Sequence, residues 1–260
     1  ASLATFLTWL LLSNRNKELL LEKERDINDA KDSLLSIASH QLRTPATGVK
    51  QYLGMVLQGM AGDVSDTQRN FLEKAYESND RQLKTINDVL YLARLEAGRI
   101  VLSKTKIKMR TILYSLIEEM HDNIEENNHK LVVKAPKKAV YVWADEHMVR
   151  MILENLLSNA IKYTPEGGKI KVVLRKSKGG IKVSVEDSGV GIKDDQKDEI
   201  FKQFSRVGNS LSKSVSGSGV GLYLVKNLVE MHEGEITVES DGENGSTFTV
   251  YLPTNKPTKT

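Results

Sequence analysis

Cysteine is absent from all 260 residues, which removes disulfides, thiolate metal sites and a cysteine nucleophile, and fits a reducing compartment. Long hydrophobic runs are missing as well. The main apolar stretch, Ser2 to Leu12 (SLATFLTWLLL), falls far short of the about 20 residues a spanning helix needs. Charge of one sign is scarcely in excess: 37 basic against 34 acidic residues leave +3, too little to argue for nucleic acid. No Gly-x-x-x-x-Gly-Lys-Ser/Thr loop occurs, because Gly167-Gly168-Lys169 runs into Ile170, so a P-loop enzyme is excluded. No His-Glu-x-x-His helix occurs either, and the five histidines are scattered, which leaves a zinc hydrolase without support.

What is present describes a globular chain. A hydrophobic fraction of 40% with 27% charged residues suits one large domain or two modest ones. At the start, Trp9 lies near the end of the apolar run and Asn14, Arg15 and Lys17 follow it. An interfacial aromatic followed by positive charge is the exit signature on the cytoplasmic side of a membrane. Residues 1–12 are therefore expected to be the end of a transmembrane helix, placing the rest as the cytoplasmic portion of a cell-membrane protein. Residues 13–33, with Leu20, Ile27 and Leu34 at heptad spacing, are expected to form a signalling helix or coiled coil.

Helical periodicity continues to about Met60, where Gly59-Met60-Ala61-Gly62-Asp63 interrupts it and Ser65 or Asp66 can cap a second helix. That helix runs to about Ala97, with Phe71, Ala75, Leu83, Ile86, Leu90 and Ala93 as its apolar stripe and Gly98 at the cap. Two such helices carry more apolar face than they can bury on each other, which predicts a homodimeric four-helix bundle over 34–98. After a linker at 99–106 the pattern becomes mixed: a helix at Ile112–Glu126, strands at Lys130–Lys134 and Val140–Trp143, and a helix at Glu146–Tyr163. Strands at Lys169–Arg175 and Ile181–Glu186 follow, then a helix at Val220–His232 and a hairpin, Glu235–Ser240 with Ser246–Leu252. This spacing predicts an α/β sandwich over 107–254, a mixed sheet with helices on one face, and a frayed tail at 255–260. The fold class is thus α+β and multidomain.

Several segments can carry chemistry. On Glu146–Tyr163 the residues Asn155, Asn159 and Lys162 share a stripe apart from the core positions Val149, Leu153, Leu156, Leu157 and Ala160. Neutral amide oxygens suit Mg2+ when phosphates supply its charge, and an ammonium suits the phosphates themselves, although a solvated helix face has the same composition. The strand Ile181–Glu186 runs into Asp187-Ser188-Gly189-Val190-Gly191, either an ordinary turn or a carboxylate poised for an adenine amino group. Gly217-Ser218-Gly219-Val220-Gly221 opens a helix, whose unpaired amides favour phosphate, or is only a flexible loop. In the first helix, Ser39-His40-Gln41-Leu42-Arg43-Thr44-Pro45 sets a histidine about one turn before a proline that removes a helical hydrogen bond.

Together these segments resemble the sensor histidine kinases of two-component signalling, from Ser33 to about Pro253. SHQLRTP is similar to that family's H-box, ENLLSNAIKYTP (Glu154–Pro165) to its N-box, and DSGVGI (Asp187–Ile192) to its first glycine box. IFKQFSR (Ile200–Arg206) resembles its F-box, GSGVGLYLVK (Gly217–Lys226) its second glycine box, and GSTF (Gly245–Phe248) its last. The resemblance implies a dimerisation and phosphotransfer hairpin followed by an ATP-binding domain of Bergerat type, with ATP and Mg2+ as ligands and a response regulator receiver domain as partner.

It further implies that His40 is the phosphoacceptor and that Asn155 and Asn159 hold Mg2+. Lys162 would contact phosphate, Tyr163 would lie against adenine, and Asp187 would accept from its amino group. Gly189 and Gly191 would shape the base pocket and Gly217, Gly219 and Gly221 the phosphate end. Ile192, Val220, Leu222 and Thr247 would complete the nucleotide-contacting set, and Phe201, Phe204 and Arg206 would anchor or close a lid. Thr44 matches the position that in relatives orients water for dephosphorylating the partner. One departure stands out: Gln41 occupies the place where the family usually has Glu or Asp. An amide accepts the imidazole N–H bond but takes no proton at neutral pH, which implies a slower autokinase and keeps two alternatives open. These are a GHKL ATPase without phosphohistidine, and a dimer acting mainly as phosphatase or nucleotide switch.

Overall fold

The computed structural model describes residues 40–205 and 219–254, together with the helical residues 15, 17, 23, 37 and 38. The apolar run at 1–12, most of the expected signalling helix, Arg206, Gly217 and the tail at 255–260 lie outside the described residues. No helix among the described residues is long and apolar enough to cross a membrane. The chain divides into two compact units, Ala1–Ile100 and Val101–Thr260.

The first unit is a helical hairpin. Helix α1 spans residues 40–57 and continues past Pro45. Helix α2 (Asp66–Glu96) starts at Ser65, which accepts from the Gln68 amide while the Gln68 side chain accepts from the Ser65 amide. This reciprocal capping box selects Ser65 over Asp66 as the cap. The helix ends in a Schellman pair, Gly98 N–H to Leu95 O and Arg99 N–H to Arg94 O, with Gly98 at φ +68° where an L side chain would be strained. Across the hairpin the Arg43 guanidinium donates twice to Asn87 Oδ1, at 3.2 and 2.9 Å, and Lys50 pairs with Asp80 beside the Tyr76 ring.

Within a single hairpin the expected apolar stripe of α2 divides between two faces. Phe71 and Ala75 are exposed, Phe71 by 68%, whereas Leu72, Tyr76, Leu83 and Ile86 are half-buried and Asn79 and Leu90 buried. The 3-4 spacing 72-76-79-83-86-90 is one seam, and Phe71 and Ala75 stand just outside it.

The second unit is a two-layer sandwich. Its elements run β1 (Thr105–Lys108), α3 (Met109–Glu119), α4 (His121–Glu126), β2 (Lys130–Lys134), β3 (Tyr141–Ala144), α5 (Glu146–Tyr163), β4 (Lys169–Ser177), β5 (Gly180–Asp187), α6 (Gly221–Met231), β6 (Glu235–Glu239) and β7 (Ser246–Pro253). Strands β1 and β3 pair by themselves, and the five-stranded sheet has the order β2-β4-β5-β7-β6. It is mixed: β2 and β4 are parallel and every other neighbour is antiparallel. Ile170, Val172, Leu174, Ile181, Val183, Val185, Phe248, Val250 and Leu252 alternate along their strands on the buried side. Met148, Ile152, Leu156, Leu224 and Leu228 from the helices close the core over them. Alternation with period 2 leaves the opposite sheet face polar and open.

Two expectations change here. The helix read as Ile112–Glu126 is two helices, because Met120 (ψ 4°) leaves helical geometry between them. Thr105 and Lys106, assigned to the linker, are strand residues opposite Ala144 and Trp143. Their lysine-rich sequence hides the alternation; pairing with β3 creates the strand.

Candidate nucleotide site and phosphoacceptor helix

Helix α5 is fixed at both ends. Asp145 caps it, accepting from the Met148 amide at 3.2 Å, and the Asp145 N–H donates to His232 Nε2 at 3.0 Å. His232 Nε2 therefore carries the lone pair, and Nδ1–H donates to Leu228 O at 2.7 Å. Burial pushes the His232 pKa down, so this neutral ring ties α6 to the start of α5. At the other end Pro165 lacks an N–H, which orphans the Ile161 carbonyl, and His129 Nε2 stands 3.1 Å from that oxygen.

The stripe read from the sequence is graded in depth. Asn155 is buried, Asn159 half-buried and Lys162 exposed. Asn155 Nδ2 donates to Met151 O at 2.9 Å, which turns its carbonyl oxygen toward the start of α6. A Cβ on Gly221 would stand 2.7 Å from that oxygen, so glycine is what allows α6 to begin directly over Asn155. Val220, just before it, is buried, and Leu222 is half-buried. Asn159, one turn further on, makes no side-chain hydrogen bond among the described residues. Among those residues no three His, Asp, Glu or Cys side chains cluster in a way that could hold a metal ion. Neither amide oxygen accepts a hydrogen bond among the described residues, and two such neutral oxygens fit a Mg2+ that takes its anionic ligands from phosphates.

Asp187 ends β5 directly opposite Ser246 on β7. Its Oδ1 accepts from the Gly189 and Ser246 amides at 2.9 and 3.3 Å, and its Oδ2 accepts from the Ser246 hydroxyl at 2.6 Å. A carboxylate offers about four acceptor positions, so one is left for a ligand donor. Burial pushes the Asp187 pKa up, while the bonds from Ser246 and Gly189 pull it back part of the way. Gly189 meets the end of α5: its Cβ would stand 2.3 Å from Tyr163 O, and the next amide, Val190 N–H, donates to that oxygen at 3.3 Å. Tyr163 itself is half-buried. Gly191 and Ile192 turn instead to the loop after β6, Gly191 against Gly242 and Glu243, and Ile192 through its amide to Ser240 Oγ at 2.9 Å.

Thr247 does not join this group. Period-2 alternation sends it, with its neighbours Glu186 and Glu239, to the open sheet face, while Ser246 faces the helices and holds Asp187. Ser246 is the residue the sequence reading missed. Gly219, expected at the phosphate end, meets the chain at Phe204, since a Cβ on it would lie 2.8 Å from the Phe204 and Ser205 backbone; of the residues expected at a lid, Phe204 is 59% exposed at φ +58° and Phe201 packs edge-on against Phe248. In the hairpin unit His40, Gln41 and Thr44 are all exposed on α1.

The charge state of Asp187 has a measurable consequence. Its folded pKa lies above the ordinary 3.8, so acidification protonates it earlier than an exposed carboxylate and costs it acceptor capacity. If Asp187 reads the base, ATP affinity should fall on acidification, with the Asp187-dependent part of the fall centred above the pKa of an ordinary exposed aspartate. Ser246→Ala, which removes a bond favouring the charged form, should move that fall to higher pH in calorimetric titrations. A fall at the same pH in both proteins would contradict the assignment.

Comparison with known proteins agrees with this arrangement. Residues 30–98 match the His Kinase A (phospho-acceptor) domain, and residues 144–256 match the histidine kinase-, DNA gyrase B- and HSP90-like ATPase domain. The circadian input-output histidine kinase CikA of Synechococcus elongatus is 32% identical over 244 residues, 92% of this chain and 32% of that protein. The crystal structure of full-length ShkA in complex with AMPPNP is similar at a TM-score of 0.69 and 30% identity, covering 87% of this chain and 47% of that one. Histidine kinase ThkA, solved in complex with response regulator protein TrrA, shares the fold at a TM-score of 0.59 and 22% identity over 92% of this chain and 67% of that one. This chain spans about a third of the length of the first curated relatives it matches, 32%, 31% and 28%.

Proposed function

This chain belongs to the sensor histidine kinases, and we propose that it phosphorylates His40 from ATP and passes the phosphoryl group to an aspartate on a response regulator's receiver domain. The observation that carries the reading is the pairing, in one chain, of an exposed histidine on a phospho-acceptor helix with an ATPase domain whose buried Asp187 keeps one acceptor position free. ShkA, which is similar over both units, binds AMPPNP, an ATP analogue, and ThkA binds a response regulator.

In this mechanism Asp187 accepts from the adenine amino group, the base lies against Tyr163, and Lys162 meets phosphate. Asn155 and Asn159 would hold Mg2+, which when bound neutralises charge on the phosphate oxygens. A neutral imidazole nitrogen of His40 attacks the γ-phosphorus, the P–N bond forms, the bond to the bridging oxygen breaks, and ADP leaves. The other ring nitrogen loses its proton to water, since the Gln41 amide orients the ring without accepting it. The phosphoramidate then yields its phosphoryl group to the carboxylate of the regulator.

The exposed Leu42, Val49, Tyr52 and Phe71 support a homodimer, because a second hairpin would cover them as a four-helix bundle. Membrane attachment through the N-terminal segment, with the catalytic units on the cytoplasmic side, belongs to the same proposal and rests on the exit-like sequence after Trp9. Gln41 favours one second reading, a switch whose phosphatase activity, with Thr44 orienting water, outweighs its kinase activity.

Gln41→Glu supplies the missing base and should raise the rate of phosphohistidine formation about 10- to 100-fold, the lower part of the general-base range. Labelled ATP and a quenched time course test this. An unchanged rate would remove the general-base role from this position, and absence of label in both proteins would contradict the kinase reading.

A further inference from the structure

The five-stranded sheet ends in two edges of opposite charge. Edge strand β2 reads KLVVK and edge strand β6 reads EITVE, each five residues long and each paired on one side only. Both alternate between exposed and half-buried residues, with the charged ends on the open sheet face. The bias extends beyond the strands. Residues 130–138 contain four lysines and no acid, whereas residues 230–243 contain Glu230, Glu233, Glu235, Glu239, Asp241 and Glu243 and no Lys or Arg. Among the described residues only Glu233 of this set has an ion-pair partner, Lys104.

We propose that these edges are complementary docking strands through which a second copy of this chain extends the sheet, β2 of one copy beside β6 of the next. The strand directions permit it. β2 runs with β4, β4 against β5, β5 against β7 and β7 against β6, so β6 is antiparallel to β2. Translating a copy sideways therefore sets β2 antiparallel to the neighbour's β6, with both helix layers on the same side. In that register Lys130 faces Glu239, Val132 faces Thr237 and Lys134 faces Glu235 on the open face, while Leu131 and Val133 meet Val238 and Ile236 on the helix side. The backbone of β2 is ready for it: Lys130 N–H turns inward to Gly168 O at 2.8 Å, so alternation presents Leu131 and Val133 outward.

Charged residues on edge strands ordinarily prevent pairing. Here they prevent only like pairing, since β2 on β2 would oppose lysines and β6 on β6 would oppose glutamates. A slip of one residue would send each charge against the wrong face. The contact is heterologous, so it links copies in line rather than closing a pair. Five residues on each side make a small, transient interface that depends on local concentration and weakens with salt. It is independent of the nucleotide chemistry proposed above.

The lack of native cysteine gives a direct test. Chains of this sequence carrying Val132→Cys and Thr237→Cys, mixed and oxidised, should form a 132–237 cross-link about tenfold or more in excess of 132–132 and 237–237 products. Adding Lys130→Glu with Lys134→Glu to the first chain should remove the cross-link. Adding Glu235→Lys with Glu239→Lys to the second chain as well should restore it, because the edges are again complementary. Equal yields of like and unlike products, no 132–237 product between chains of native charge, or indifference to the reversals would overturn the proposal.

Discussion

Asp187→Asn should weaken ATP binding about 10- to 100-fold, the cost of one hydrogen bond to a charged acceptor in a buried site. The argument rests on how fully Asp187 is already used. Ser246 and Gly189 occupy three acceptor positions and fix the carboxylate plane, leaving one oxygen lone pair for the ligand. An asparagine must keep its oxygen at the Oδ1 position, where the Gly189 and Ser246 amides donate, so its amino group takes the Oδ2 position, beside the Ser246 hydroxyl and where the adenine donor arrives. The same substitution should narrow the preference for ATP over GTP, because guanine presents an oxygen there and an amide can donate to it. Calorimetry with both nucleotides reads the two effects together. Weakening that is equal for ATP and GTP would mean that Asp187 supports the fold of the site and does not read the base.

His40→Ala should reduce acid-labile phosphate on the chain to background while leaving ATP affinity within error of the native protein. Loss of the nucleophile leaves no nitrogen to form the phosphoramidate. His40 belongs to the hairpin unit, whereas every residue assigned to nucleotide binding belongs to the other compact unit. Its exposure on α1 also means that no buried contact is lost on truncation. Thr44→Ala, one turn away, should retain the label. Label surviving in His40→Ala but lost in Thr44→Ala would place the chemistry on a hydroxyl and favour a different transferase.

Much of this arrangement is legible in the sequence, and the reasons are local. Helix α5 was readable end to end because Asp145 caps it and Pro165 stops it. Helix α2 was readable because Ser65 and Gly98 mark its limits. Strand β1 was not, since TKIK shows one apolar residue among polar ones and becomes a strand only through β3. The break at Met120 carries no glycine or proline to announce it. In the site, Asp187 and the glycines follow from their motif, but on β7 the motif draws attention to Thr247 and passes over Ser246, the residue that holds Asp187. A signal for Ser246 existed: it shares parity with Phe248, Val250 and Leu252, the buried residues of the same strand. The depth of Asn155 was hidden for a different reason, because a helical wheel ranks faces without knowing that α6 begins on top of that residue.

The measurement closest to the central claim is the chemistry of the bond formed when the full chain is incubated with γ-labelled ATP and Mg2+. A histidine kinase acting through His40 should carry label that is lost in acid, is stable in base and maps to the peptide containing His40. ATP consumed without protein-bound label, or label that survives acid on serine or threonine, would contradict the account.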